Sequence, residues 1–310
     1  MMSPAAAANF ALDREAIGSS NSLMSFVALL LSALLGLLPA PSRTAAEQAE
    51  ERGGLTIDLN RASAQAAEEA TISGPAGRPL VVIDPGHGGR DPGATSPFGG
   101  RLEKHLTLVL SRAIRDELLK SGRVRVALTR EDDRYVVHAQ RYGMARRLGA
   151  ELFISVHADA APANDSARGA TVYTLSEVAS DRQAALLAAQ ENKSDLIAGV
   201  RMTSGDEVVN RILIDLAQRE SMDASAEFAR LLKREASPFF PFRPEYHRFA
   251  SLLVLKAPDI PSILFESGYL TNAEDAAYIQ SPEGQQQIAI GIRRAVEAHF
   301  ARRMIRTAQR

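Results

Sequence analysis

Four side chains able to hold a metal or move a proton stand at related places in this 310-residue sequence. His87 follows an apolar run, Glu103 opens a helical pattern, and His157 and Glu266 each close a further apolar run. His87 lies in VVIDPGHGGRDPGA (81–94), a buried-strand pattern ending in a turn that holds one histidine among four glycines. Glycines there let backbone approach a ligand closely. Two neutral imidazoles and one carboxylate are a ligand set for catalytic zinc, with a fourth position left for water. Zinc lowers the pKa of that water and polarises a carbonyl. A further carboxylate off the metal can take the water's proton and pass it to a leaving nitrogen.

Each residue also has a duller explanation. Glu103 suits the positive end of its own helix, His157 can be a satisfied core histidine, and Glu266 can cap the turn at Thr271 and Asn272. The ligand candidates are widely separated and match no short local zinc motif such as HExxH. A glycine-rich turn after a strand can instead cradle phosphate, but the spacing fails. Asp91 stands where a dinucleotide fingerprint needs its third glycine, and Gly93 is followed by Ala94 rather than Lys.

The elements that must position these residues follow from periodicity. Strands are expected at 80–83, 124–129, 152–156, 170–175, 252–255 and 262–265. Helices are expected from Glu103 to before Gly122 and over 135–148, 182–197, 206–234 and 283–303. The early alternation of strand and helix predicts an α/β fold: one layered domain with a mostly parallel or mixed sheet flanked by helices. Strand ends from different parts of such a sheet converge on its carboxyl edge, where open α/β sheets place their sites. The stretch 176–246 is too long for a structureless loop and reads as a helical insertion covering the sheet.

Composition narrows the class. Apolar residues make up 45% and charged residues 24%, as in a soluble globular chain, and the net charge of -1 gives no electrostatic case for nucleic acid. With no cysteine, any metal must use His, Asp or Glu. The uncharged apolar run 23–38 is short for a membrane span and reads as a signal peptide with a small-residue cleavage site at Thr44-Ala45-Ala46. Asp13, Arg14 and Glu15 precede it in place of a basic cluster, so an uncleaved anchor is the alternative. Either way the rest of the chain is exported. Residues 1–46 are thus the leader, 47–79 a disordered linker, 80–303 the catalytic domain and 304–310 a tail.

The chain resembles the zinc-dependent N-acetylmuramoyl-L-alanine amidases that cleave peptidoglycan during daughter-cell separation. The resemblance rests on VVIDPGHGGRDPGA, LEKHLTL, SVHADA and LLVLKAPDIPSILFESGYLTN in that order and covers 80–303. It implies that His87, Glu103 and His157 bind zinc, that Glu266 is catalytic, and that the substrate is the amide joining N-acetylmuramic acid to the L-alanine of the stem peptide. It further implies a periplasmic setting and a helix, here 182–197, that covers the zinc until an activator protein displaces it. Glu191 is the expected blocking ligand, with Glu177, Asp195 and Glu207 left open. The wall-targeting amino-terminal domain of some relatives is missing, because 47–79 is too short and polar to fold alone. His105, His138, His247 and His299 match no ligand position and are assigned surface or packing roles. The rival readings are another zinc hydrolase of wall peptides, such as a carboxypeptidase, and a non-catalytic wall-binding protein.

Overall fold

The computed structural model describes residues 70–161, 167–199 and 211–308. The apolar run 23–38, its cleavage site, the linker up to residue 69, Glu207 and the first part of the expected helix 206–234 lie outside the described residues.

Six strands form one mixed sheet: β1 (Leu80–Pro85), β2 (Arg125–Leu128), β3 (Leu152–His157), β4 (Ala170–Leu175), β5 (Phe242–Ala250) and β6 (Ser262–Glu266), in the order β2-β1-β3-β6-β4-β5. The strands β2, β1, β3 and β6 run parallel, β4 is antiparallel to β6, and β5 is parallel to β4. All residues of β1, β3, β4 and β6 are buried. Their near-continuous apolar runs are what a strand covered on both faces requires.

Helices α1 (Glu103–Lys120), α5 (Arg211–Ala236) and α7 (Pro282–Ala308) cover one face, where Leu110, Ile114, Phe228 and Ile292 pack on Val81, Ile154 and Phe265. The other face packs Val82, Phe153 and Leu264 against α2 (His138–Arg147), α3 (Arg182–Glu191) and the chain around Leu252. His157 and Glu266 alternate with Val156 and Phe265, so they face this second side, beneath α3.

Several expected elements shift. The strand expected at 252–255 is a 3-10 turn, Leu253–Leu255, and the edge strand is β5. Hydropathy passes over β5 because FRPEYHRFA is half exposed and charged and contains Pro244, which an edge strand tolerates. The helix expected over 182–197 breaks at Asn192 and Lys193 into α3 and a single turn, α4 (Ser194–Ile197). Asn272 caps α6 (Ala273–Gln280), accepting from the backbone N–H groups of Glu274 and Asp275, so that turn is capped by its own asparagine and not by Glu266. Ser73 already bridges to Val126, upstream of the expected start at Leu80. At the other end α7 continues through Met304 to Ala308.

Candidate metal centre

The sheet's carboxyl edge brings all four candidates together. His157 ends β3 and Glu266 ends β6, and the two are register partners on adjacent parallel strands. His87 lies two residues beyond β1, and α1 begins with Glu103. His87 Nε2 is 3.1 Å from Glu103 Oε1, and His157 Nδ1 is 3.3 Å from the same oxygen. The two imidazoles meet edge to face with centroids 4.9 Å apart. Close backbone approach makes this possible. A Cβ on Gly86 would come within 2.5 Å of the His157 ring, and one on Gly93 within 2.6 Å of both His87 and Glu103.

Partners behind each candidate ligand set its orientation. His87 Nδ1 contacts Asp91 Oδ2 at 2.8 Å, leaving Nε2 to face the centre. Ser155 Oγ donates to Asp84 (2.7 Å) and accepts from His157 Nε2 (3.2 Å), which turns the His157 Nδ1 lone pair inward. Such outer contacts fix tautomer and ring orientation in metal sites. Glu103 accepts from the backbone N–H of Ala94 (2.8 Å) and of Ala158 (2.9 Å).

A fifth group enters from α3. Glu191 Oε2 lies 3.3 Å from His157 Nδ1 and 3.7 Å from His87 Nε2, and Glu191 is only 3% exposed. His87 Nε2, His157 Nδ1 and Glu191 Oε2 are buried without hydrogen-bond partners and lie within 4.8 Å of one another. Buried polar atoms are ordinarily hydrogen-bonded. Three orphans of this chemistry facing one another fit a divalent cation held by imidazole and carboxylate.

The electrostatics agree. Burial disfavours charge on His87, yet the Glu103 and Glu191 carboxylates drive its pKa well above the usual imidazole value. Burial likewise opposes ionisation of Glu103, and His87 and His157 hold it well below the carboxylate range. Glu266 differs: burial, then Asp159 and Glu103, raise its pKa well above that of an ordinary glutamate. One of its oxygens accepts from the Asp159 N–H (2.9 Å) and the other, Oε1, is unpartnered. Asp159 itself is pushed up to about 8 by burial and by Glu103 and Glu191.

Beneath the candidate ligands lies a layer that motif spacing does not reveal. Arg141 is buried and donates to Asp84 (2.9 Å) and to the carbonyls of Pro85 (2.7 Å), His87 (2.8 Å) and Val136 (2.6 Å). Arg130, also buried, donates to the carbonyls of Pro85 (3.0 Å), Gly86 (2.6 Å) and Lys104 (2.9 Å). The two guanidiniums satisfy three consecutive carbonyls of a turn that sheet pairing cannot satisfy. His87 adopts φ 59, and it is the one non-glycine with positive φ among the described residues. Such a conformation persists when its surroundings over-determine it. The alternation of Ser155 with His157 and the four-residue step from His87 to Asp91 were the available sequence signals; nothing local marks the arginines.

Of the residues left open as blocking ligands, Asp195 is buried but accepts from Tyr135 Oη (2.7 Å) and the His138 N–H (3.1 Å), outside the cluster. Glu177 is exposed. His138 packs under α3, with Nε2 3.0 Å from the Glu191 carbonyl. His105 is exposed, His299 packs on Phe228 and Phe300, and His247 reaches Thr174. None joins the centre.

The chain is 34% identical to N-acetylmuramoyl-L-alanine amidase AmiA of Escherichia coli (strain K12), over 72% of this chain and 77% of that protein. It is 34% identical to the amidase AmiC of Escherichia coli O6:H1, over 80% of this chain and 60% of that one. The solved structure of the amidase AmiC2 of Nostoc punctiforme, 26% identical, superposes with a TM-score of 0.52 over 73% of this chain and 99% of the other. With residues 81–298 matching the N-acetylmuramoyl-L-alanine amidase family as well, the chain belongs to that family.

Proposed function

We propose that this protein is a zinc-dependent peptidoglycan amidase, held closed by its own helical insertion, that cleaves the bond between N-acetylmuramic acid and the L-alanine of the stem peptide. The observation that carries the zinc reading is the convergence of unpartnered His87 Nε2 and His157 Nδ1 on Glu103 Oε1. These three residues would hold the ion. When bound, zinc would supply Lewis-acid polarisation of the scissile carbonyl and acidify water.

The chain's own groups do the rest. Glu266 Oε1 takes a proton from the water that attacks the lactyl carbonyl. As the carbon–nitrogen bond breaks, the same carboxyl returns that proton to the departing L-alanyl amine, leaving a muramic acid carboxylate. A pKa raised by burial suits a group that must alternate between base and acid. The hydrogen bond from the Asp159 N–H fixes the opposite oxygen, so Oε1 is the one available.

Glu191 supplies the closure. Its carboxylate lies against both imidazoles, where water and substrate must come, and Asn192 anchors the helix end to Ser251 and Leu253. Release by an activator protein, export to the periplasm and a role in daughter-cell separation complete this reading. AmiA and AmiC, named above as amidases of the same family, support the reaction class.

Purified peptidoglycan should yield stem peptides freed at L-alanine when treated with the zinc-loaded protein, and Glu191→Ala should release more of them than the parent. Products cut elsewhere in the peptide, identified by mass, would place the protein among other wall hydrolases. Equal release by both forms would remove the closure but keep the amidase.

A further inference from the structure

The edge strand β5 carries a large irregularity beside the catalytic strand. Ala170 pairs with Phe242 and Val172 with His247, so two steps along β4 match five along β5. The extra residues bulge out opposite Thr171, and Thr171 is the register partner of Glu266 on β6. Bulges next to active sites commonly re-aim a side chain. Here the residue displaced is Arg243. Its guanidinium lies over the Tyr269 ring, 5.4 Å from the centroid, and Nη1 donates to Tyr269 Oη at 2.6 Å.

Tyr269 follows Glu266 by three residues and is 1% exposed. Burial pushes its hydroxyl pKa up, Arg243 opposes the rise, and Asp159 and Glu266 add to it. Tyr269 therefore lies within electrostatic reach of Glu266. Among the described residues Arg243 has no carboxylate partner, and Tyr269 is its one hydrogen-bond acceptor. Beside it the Thr171 hydroxyl is buried and unpartnered, as is Glu266 Oε1. A guanidinium anchored through one nitrogen on a tyrosine hydroxyl keeps its other N–H donors for two parallel hydrogen bonds to a carboxylate.

We propose that Arg243 is a specificity residue: laid on Tyr269 by the bulge in β5, it receives a free carboxylate of the stem peptide and so aligns the scissile amide with Glu266. This rests on the amidase reading above, from which the anionic character of the substrate follows. Arg243 is not part of the metal centre, so zinc content does not depend on it.

The test compares initial rates on purified peptidoglycan in native form and after conversion of its free carboxylates to carboxamides. Full-length protein is used throughout in a Glu191→Ala background. The parent should act about tenfold or more faster on the native polymer, the span expected for a lost charge-assisted hydrogen bond. Arg243→Gln should bring the two rates to within about twofold of each other at unchanged zinc content, and Arg243→Lys, keeping charge without the bidentate fork, should fall between. A native-to-amidated ratio that is the same in parent and Arg243→Gln overturns the proposal. No cleavage of native peptidoglycan by the parent overturns the amidase reading, and this proposal with it.

Discussion

The centre has a floor and a cover that are built differently. In the floor, Arg130 and Arg141 satisfy the carbonyls of Pro85, Gly86 and His87, and Asp84 accepts from Thr129, Arg141 and Ser155. Burial would raise the Asp84 pKa, but Arg141 and the two hydroxyls hold it below the usual aspartate value. The cover, α3 with α4, is short, and it leaves Leu186 and Leu196 61% exposed and Ile197 53% exposed. Polar contacts of Glu191, Asn192 and Asp195 hold much of it in place. The floor resembles a domain interior and the cover a removable interface. On the proposed reading, the ligands needed in every turnover stand on the floor, and the carboxylate that would have to leave comes from the cover.

Substitutions at the centre itself should show the largest effects. His87→Ala should abolish both bound zinc and turnover. Glu266→Gln should keep zinc at full stoichiometry while slowing release of stem peptide by about a thousandfold, within the range of a lost general acid–base group. Metal analysis beside product counting separates the two, and His87→Ala with full zinc and full rate would break the assignment of the floor as metal holder.

Next in size is Arg141→Met. It strands Asp84 as an uncompensated buried charge, and urea unfolding should show a loss of about 3–5 kcal/mol. A loss below about 1 kcal/mol, the scale of an exposed ion pair, would mean that the floor is no more firmly built than the cover. Asp91→Ala should be milder, weakening zinc about 10- to 100-fold in a chelator competition without unfolding the domain. Unchanged affinity would show that His87 needs no orienting partner.

The smallest global effect is expected in the cover. Asn192→Ala removes two hydrogen bonds at the α3 end and should cost the whole domain no more than about 1–2 kcal/mol. Amide exchange across 182–199 should nevertheless quicken, because the local opening of a short segment depends on the few hydrogen bonds that tie it down. Exchange quickening equally in β1 and β3 would merge floor and cover into one cooperative unit and remove the distinction.

The parts legible in the sequence are those with local signatures. Apolar runs located β1, β3, β4 and β6, and a histidine or glutamate closing such a run marked the carboxyl edge where His157 and Glu266 meet. Glu191 was legible only through the family resemblance, since a helical glutamate is ordinarily a solvated one. The edge strand escaped because its stability comes from pairing with β4 and not from a hydrophobic pattern of its own. The guanidinium floor escaped for a related reason: nothing local in the sequence distinguishes Arg130 and Arg141 from ordinary surface arginines, and only the fold surrounds them with carbonyls.

The bridge between Ser73 and Val126 has a consequence for association between copies. The β2 backbone would otherwise form one open rim of the sheet, and Ser73 occupies it through two backbone hydrogen bonds of 2.9 Å. At the opposite rim, β5 is bulged, carries Pro244 and is rich in arginine. Unpaired flat strands are templates for edge-to-edge growth. Both margins of this sheet are thus poor templates, so crowded molecules can collide without extending one another's sheets.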